Sequence, residues 1–132
     1  MRKIYKYISE NGTSPVDTVI NEAGEKFIKK YNFLMEYIRN ENNCLCEPYV
    51  KHFCVERYRR LYELRLRING SMIRVIFLLT DNDNVILLHA FYKRDKRDTE
   101  KALEYALRLL NSLDLHNISS SDLNFAKGFN NK

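Results

Sequence analysis

Three apolar-rich runs separated by two turn signals constrain this chain more than any other feature. Leu61-Tyr62-Glu63-Leu64-Arg65-Leu66-Arg67 alternates residue by residue, the period of a strand with one face buried. Leu64 and Leu66 then face the core, and Glu63, Arg65 and Arg67 share the other face. Asn69-Gly70 follows, a pair suited to a tight hairpin turn. Met72 to Leu79 forms the return strand, Asp81-Asn82-Asp83-Asn84 a second turn, and Val85 to Tyr92 a third strand. A three-stranded antiparallel meander is the expected centre of the fold.

The flanks supply helices. Residues 2–8 alternate with Tyr and Ile and read as an N-terminal strand closed by the Asn11-Gly12 turn. Ser14-Pro15 is a helix start, with Ser as the cap and Pro at the first helical position. Val16, Val19 and Ile20 are helically spaced, and Gly24 separates this helix from a second one carrying Phe27, Ile28, Tyr31, Leu34, Met35 and Ile38 on one stripe. Asn40 to Asn43 is a loop, and a short extended piece follows Pro48. Asp98 or Thr99 is expected to cap a last helix over about 99–113, with Ala102, Leu103, Ala106, Leu107 and Leu110 on its apolar side. The expectation is an α+β domain at 1–114 with an antiparallel sheet, the N-terminal strand plus the meander. Helices cover one face and the arginines occupy the other. The Ser/Asn-rich stretch 115–132 is expected to be a loosely ordered tail.

A chain of 132 residues suits one domain. Its longest apolar run, Val75 to Leu79, is far short of the ~20 residues of a membrane span. The start, Met1 to Tyr7, lacks the apolar core and cleavage site of a secretory signal, so a cytoplasmic location is expected. Three cysteines are an odd number, which argues against a disulfide framework, so Cys44, Cys46 and Cys54 are expected as thiols. With His52 they offer four zinc-ligand types, but the spacing fits no finger or ribbon, and no metal is expected. The net charge of +5 is concentrated: Lys51, Arg57, Arg59, Arg60, Arg65, Arg67 and Arg74 face only Glu56 and Glu63 between 51 and 74. Lys93-Arg94-Asp95-Lys96-Arg97 is a second basic knot. Clustered arginines interleaved with Tyr and Phe suit a polyanion surface, and equally a solvated, salt-bridged face.

Four segments in register then carry a family resemblance: Pro48-Tyr49-Val50-Lys51, Leu61-Tyr62-Glu63-Leu64-Arg65, Arg74-Val75-Ile76-Phe77, and Leu87-Leu88-His89-Ala90-Phe91-Tyr92-Lys93-Arg94. Together they resemble the HigB-like branch of the RelE/ParE toxin superfamily, phage-derived relatives included, over roughly residues 1–110. The Thr-Pro common at the start of that family's last helix is absent from Arg97 to Leu103. The loop Val55 to Arg60 is longer and more basic than usual, and the tail has no counterpart. The resemblance implies a RelE/ParE-like α+β fold and the toxin of a type II toxin–antitoxin pair. Such a toxin cleaves mRNA, usually on the ribosome, and inhibits translation. It needs no cofactor, is neutralised by a helix-turn-helix antitoxin, and meets operator DNA through that complex. The ParE-like branch instead inhibits DNA gyrase, and a catalytically inactive RNA-binding relative is a third alternative.

Metal-free RNA cleavage needs a base for the 2′-hydroxyl, cations for the phosphorane and an acid for the leaving 5′-oxygen. Arg65 and Arg74 are candidates to clamp the phosphate, and Glu63 is either the base or the anion that holds them; flanking arginines favour the second role. His89 titrates in the right range or is a hydrogen-bonded core residue. Lys93 and Arg94 end the last strand, where the resemblance places functional basic residues; they equally serve to cap the mouth of the sheet or give general RNA affinity. Lys51, Arg67, Arg94 and Tyr92 are candidate RNA contacts; Lys51 touches the backbone or acts in catalysis, and Tyr92 stacks on a base, donates a proton or belongs to the core. All of these are expected on one sheet face.

Overall fold

The computed structural model describes residues 1–113 and 118–120. In chain order the elements are β1 (Ile4–Tyr7), α1 (Pro15–Ala23), α2 (Glu25–Arg39), β2 (Val50–His52), a 3-10 turn at Glu56–Tyr58, β3 (Leu61–Ile68), β4 (Ser71–Leu79), β5 (Val85–Tyr92), α3 (Lys96–Asn111) and β6 (Ile118–Ser120). The strands form one sheet in the order β2-β3-β4-β5-β1-β6.

The meander forms as its alternation dictates. Asn69 and Gly70 both have positive φ, 49° and 87°, the geometry of the mirror-image turn whose twist matches the strands it joins. The sheet as a whole is mixed rather than antiparallel, because β1 pairs parallel with β5, Ile4 opposite Val85 and Lys6 opposite Leu87. The intervening α1–α2 and meander form the long connection that a parallel neighbour requires. The piece after Pro48 is a true edge strand, antiparallel to β3. Three residues of the tail form β6 on β1; the rest of that expected tail lies outside the described residues.

Helices cover both faces of the sheet, not one. On the first face α1 and α2 bring Val16, Ile20, Phe27, Tyr31, Leu34, Met35 and Ile38 onto Ile4, Leu64, Leu66, Ile73, Val75, Phe77, Val85, Leu87 and Ala90. On the second face α3 packs Ala102, Leu103, Ala106 and Leu109 against Leu61, Ile76, Leu78 and Leu88. That second apolar patch arises from the same strands that carry the arginines: their outward positions are polar at one end of the sheet and apolar at the other. The helix therefore shelters half of the face and leaves the basic half beside it.

Local signals set the helix ends. The Ser14 hydroxyl accepts the Asp17 N–H at 3.1 Å, and Gly24 turns at φ 102° between α1 and α2. The last helix starts three residues earlier than expected. Asp95 is its cap, accepting from Arg97 N–H at 2.8 Å and Asp98 N–H at 3.3 Å. The Asp98 carboxylate returns to accept Asp95 N–H at 3.0 Å, completing a capping box built from two aspartates. Two buried cations on β1 and its lead-in lock the helices down. Lys6 is ion-paired to Asp17 of α1 with both side chains nearly inaccessible. Arg2 donates to the Ile38 carbonyl at 2.9 Å at the C-terminal end of α2, where a cation suits the helix dipole, and pairs with Asp83 at 3.1 Å.

Cys44 and Cys46 form a disulfide, correcting the expectation of three thiols; their Cα atoms lie 5.3 Å apart in the loop before β2. An odd count excludes complete pairing but not one local bridge. Cys54 is free and exposed. Among the described residues no group of three or more His, Cys, Asp or Glu is arranged to hold a metal ion, and no helix is long and apolar enough to cross a membrane.

Candidate functional site

Strand register turns the sequence candidates into rows across the second sheet face. Lys51, Glu63, Ile76 and His89 lie side by side on β2, β3, β4 and β5. The next row is Arg65, Arg74 and Phe91, and the next pairs Arg67 with Met72. Lys93 extends that third row, its N–H donating to the Met72 carbonyl at 2.9 Å.

Glu63 is the anchor of this surface. It is 1% exposed, and its Oε1 accepts from Arg65 Nε at 3.3 Å and lies 3.7 Å from Arg74 Nε. Glu63 Oε2 has no hydrogen-bond partner among the described residues. Arg74 is itself buried, and its terminal nitrogen reaches the Met72 sulfur at 3.6 Å. Burial holds the Arg74 pKa below the ordinary guanidinium value; Glu63 opposes that shift, and Arg65 and Arg67 reinforce it. Glu63 thus serves two guanidiniums, Arg65 and Arg74, while Arg67 adds a third positive charge beside them, and the cluster carries more positive than negative charge. Arg65 and Arg67 are the accessible members. Arg65 also reaches the exposed Glu47 at 3.6 Å, a pair that solvent screens. A groove of about 310 Å³ lies over them, lined by Lys30, Pro48, Tyr49, Arg65, Arg67 and Arg74.

His89 reaches this face through a β-bulge. Ile76 pairs with His89 and Phe77 with Leu87, so Leu88 is an extra residue in β5. Strict alternation from Leu87 would send His89 to the α1–α2 core. The bulge turns it instead towards α3, where its ring stacks on Phe91 at 6.0 Å and meets Tyr105 edge-on at 4.7 Å. Its Nδ1 is buried with no hydrogen-bond partner among the described residues, and burial lowers its pKa, keeping the imidazole neutral near pH 7. A second groove of about 300 Å³ opens over it, lined by His89, Phe91, Tyr92, Asp98, Lys101, Ala102 and Tyr105. Ile76 separates His89 from Glu63, two strand spacings of about 4.8 Å each, so the two do not form a direct acid–base pair.

The same bulge moves Tyr92 off the arginine face. Its ring contacts Phe27 of α2 edge-on at 6.5 Å, and its exposed part lines the His89 groove rather than the arginine groove. Arg94 is exposed past the end of β5, its N–H held by Asp98 at 2.7 Å. Lys51 is exposed on the edge strand, its ammonium 5.6 Å from the Phe53 ring. The basic loop 55–60 is in large part structural. Arg57 makes a two-pronged pair to Glu104 of α3, both contacts 2.7 Å, and the Tyr58 hydroxyl donates to the same carboxylate. These contacts hold the Glu104 pKa down to about 2. Arg59 pairs with Glu56 at 3.4 Å.

Two groove residues were not legible as site residues: Lys30, which sits on the charged stripe of a helix, and Tyr49, which precedes an edge strand. Lys30 is at helical spacing from Phe27 and Phe33, yet only the packing of α2 beside β3 carries it to the arginines.

The arrangement can bind a phosphate against Arg65 and Arg67 with Arg74 behind them, and it holds an imidazole in the adjoining groove, one row along and two strands across. No curated protein matches the chain. A family model described as "Phage derived protein Gp49-like" matches residues 19–111, the span that contains every element of the site. The chain therefore belongs to the Gp49-like family of phage-derived proteins, relatives of the RelE-like toxins of toxin–antitoxin systems.

Proposed function

We propose that this protein is the toxin of a type II toxin–antitoxin pair: a HigB-like, metal-independent endoribonuclease that cuts mRNA on the ribosome and so inhibits translation. The observation that carries the reading is the buried Glu63 holding Arg65 and Arg74 under a groove with more positive than negative charge. An anion in that groove relieves the repulsion among the guanidiniums, and a phosphodiester fits their planar forks.

In the proposed reaction, Arg65 and Arg67 take the non-bridging oxygens of the scissile phosphate, with Arg74 adding charge from behind. A base takes the proton of the 2′-hydroxyl, and His89, two strands from Arg65 in the adjoining groove, is the candidate for that role. The resulting oxygen attacks phosphorus, and the bond to the 5′-oxygen breaks. A 2′,3′-cyclic phosphate remains on one fragment and a 5′-hydroxyl on the other, the leaving oxygen taking its proton from Lys93. The guanidiniums offset the extra charge of the phosphorane. Glu63 positions the arginines and takes no proton. Arg94 and Lys51 extend the backbone contacts, a helix-turn-helix antitoxin covers the site, and operator DNA is met through that complex.

The test is induced expression with mapping of transcript 5′ ends, and gyrase supercoiling assayed on the same extract. New ends inside translated messages with supercoiling intact support the nuclease, and Arg65→Ala removes them while the protein stays folded. Arg65 is the informative position, because Arg74→Ala also strands the buried Glu63. Intact messages with lost supercoiling refute the nuclease in favour of a ParE-like gyrase inhibitor. Neither effect in folded, antitoxin-free protein leaves an inactive RNA-binding relative.

A further inference from the structure

The cationic groove continues onto an aromatic ledge. Phe33 of α2 is 52% exposed, unusual for a large apolar side chain on a helix whose other apolar residues are buried or half-buried. Its ring meets Tyr49 edge-on at 5.9 Å, and Tyr49 meets Tyr37 at 5.0 Å. Lys30 joins ledge and groove: its ammonium lies 5.7 Å from the Phe33 ring and 5.5 Å from the Tyr49 ring, while Lys30 and Tyr49 also line the groove with Arg65, Arg67 and Arg74. The ring contacts fix the orientation of Phe33 and leave the rest of its surface to solvent.

We propose that this ledge is a nucleobase-stacking subsite for single-stranded RNA, with Phe33 as the platform, Tyr49 setting its angle and Lys30 bridging to the phosphate beside it. The inference rests on reading the groove as a phosphodiester site. Charge decides the occupant. The aromatic surface is flanked by Lys30, Arg65 and Arg67, and a ligand that presents a flat ring next to a phosphate satisfies both parts at once, as one nucleotide does. Stacking is tolerant of sequence, since every base has a π-face, so the subsite adds affinity and register without fixing the base.

The probe is a short 2′-O-methyl uridine oligonucleotide, which cannot be cut by 2′-hydroxyl attack, compared with an abasic strand of equal length. Binding is followed by fluorescence anisotropy. Wild-type protein is expected to prefer the uridine strand, and Phe33→Ala to weaken it about ten-fold, the loss of one stacked base. Affinity for the abasic strand and the salt dependence stay unchanged in that variant, and Phe33→Trp restores the preference. Phe33 is exposed, so truncation leaves the core intact. Equal binding of the uridine strand by Phe33→Ala and wild type overturns the subsite alone, provided that Arg65→Ala still weakens the abasic strand. Failure of wild type to bind the abasic strand removes the phosphodiester groove and the subsite with it. Loss on Phe33→Ala of an acidic peptide's affinity, with none for the uridine strand, reassigns the ledge to a protein partner.

Discussion

Replacing Glu63 by Gln isolates the feature on which the site is built. The substitution keeps shape and removes one charge from a position 1% exposed. With 3.7 Å between Glu63 Oε1 and Arg74 Nε, the lost attraction is about 4 kcal/mol at an effective dielectric of about 20. Arg65, at 3.3 Å but more exposed, adds a screened and smaller share. Gln no longer carries the desolvation cost of a carboxylate, so the net loss is smaller than the sum and falls near the usual cost of leaving one buried charge unpaired, about 3 kcal/mol. Against a total of roughly 5–15 kcal/mol for a domain, that is a large fraction. Urea unfolding at pH 7 should show it as a midpoint about 1.5 M lower, taking a slope of about 2 kcal/mol/M. Two companions sharpen the test. Glu63→Met with Arg74→Met should recover most of the loss, because it removes both charges. Sulfate should stabilise Glu63→Gln more than wild type, because Arg65 and Arg74 then lack the buried carboxylate they share. A Glu63→Gln variant within 0.5 kcal/mol of wild type, or one indifferent to sulfate, would refute the electrostatic account of the site.

Other perturbations have defined outcomes. Lys6→Met leaves the Asp17 carboxylate buried without its ammonium and should cost about 3–5 kcal/mol in chemical denaturation, with Asp17→Leu on the same chain recovering much of it. Burial lowers the His89 pKa below 6.5, so the unfolded chain binds the proton more readily. The His89 contribution is therefore complete above about pH 6.5 and is lost as pH falls towards the folded value, with a slope of at most about 1.4 kcal/mol per pH unit. Thermal melts of His89→Asn across this window should be flatter than those of wild type; parallel curves would show that another group dominates. If the arginine cluster, Lys51 and Arg94 neutralise one phosphate each, the logarithmic salt slope for a single strand should be about −2.1, and Lys51→Ala should reduce its magnitude by about 0.7. An unchanged slope would remove Lys51 from the binding face.

Legibility differed by element. The meander was readable because its alternation and its Asn69-Gly70 turn are local signals that agree with each other. The α1 start was readable for the same reason, Ser14 and Pro15 standing at the positions their chemistry favours. The start of α3 was misplaced because its capping box uses aspartate at both ends. The neighbour of β1 could not be read at all, since pairing parallel with β5 is decided by how the chain crosses back. Opposite-sign residues at positions 6 and 17 do not announce a buried pair, and the basic loop 55–60 gave no sign that Arg57 would be absorbed by Glu104, far along the chain on α3.

By itself the sequence determined an α+β domain, a central meander, and a row in which Glu63, Arg65 and Arg67 share a face, because a period of two leaves no other arrangement for that strand. Only the tertiary structure decided what that face contains. Packing buried Glu63 and Arg74, set α3 over the apolar half of the face, and brought Lys30 and Tyr49 to the arginines from separate elements. The bulge at Leu88 decided the rest: one extra residue reverses every side chain after it, which turned His89 towards α3 on the arginine face and Tyr92 away to Phe27. A bulge is a property of two paired strands, and the alternation of one strand does not contain it.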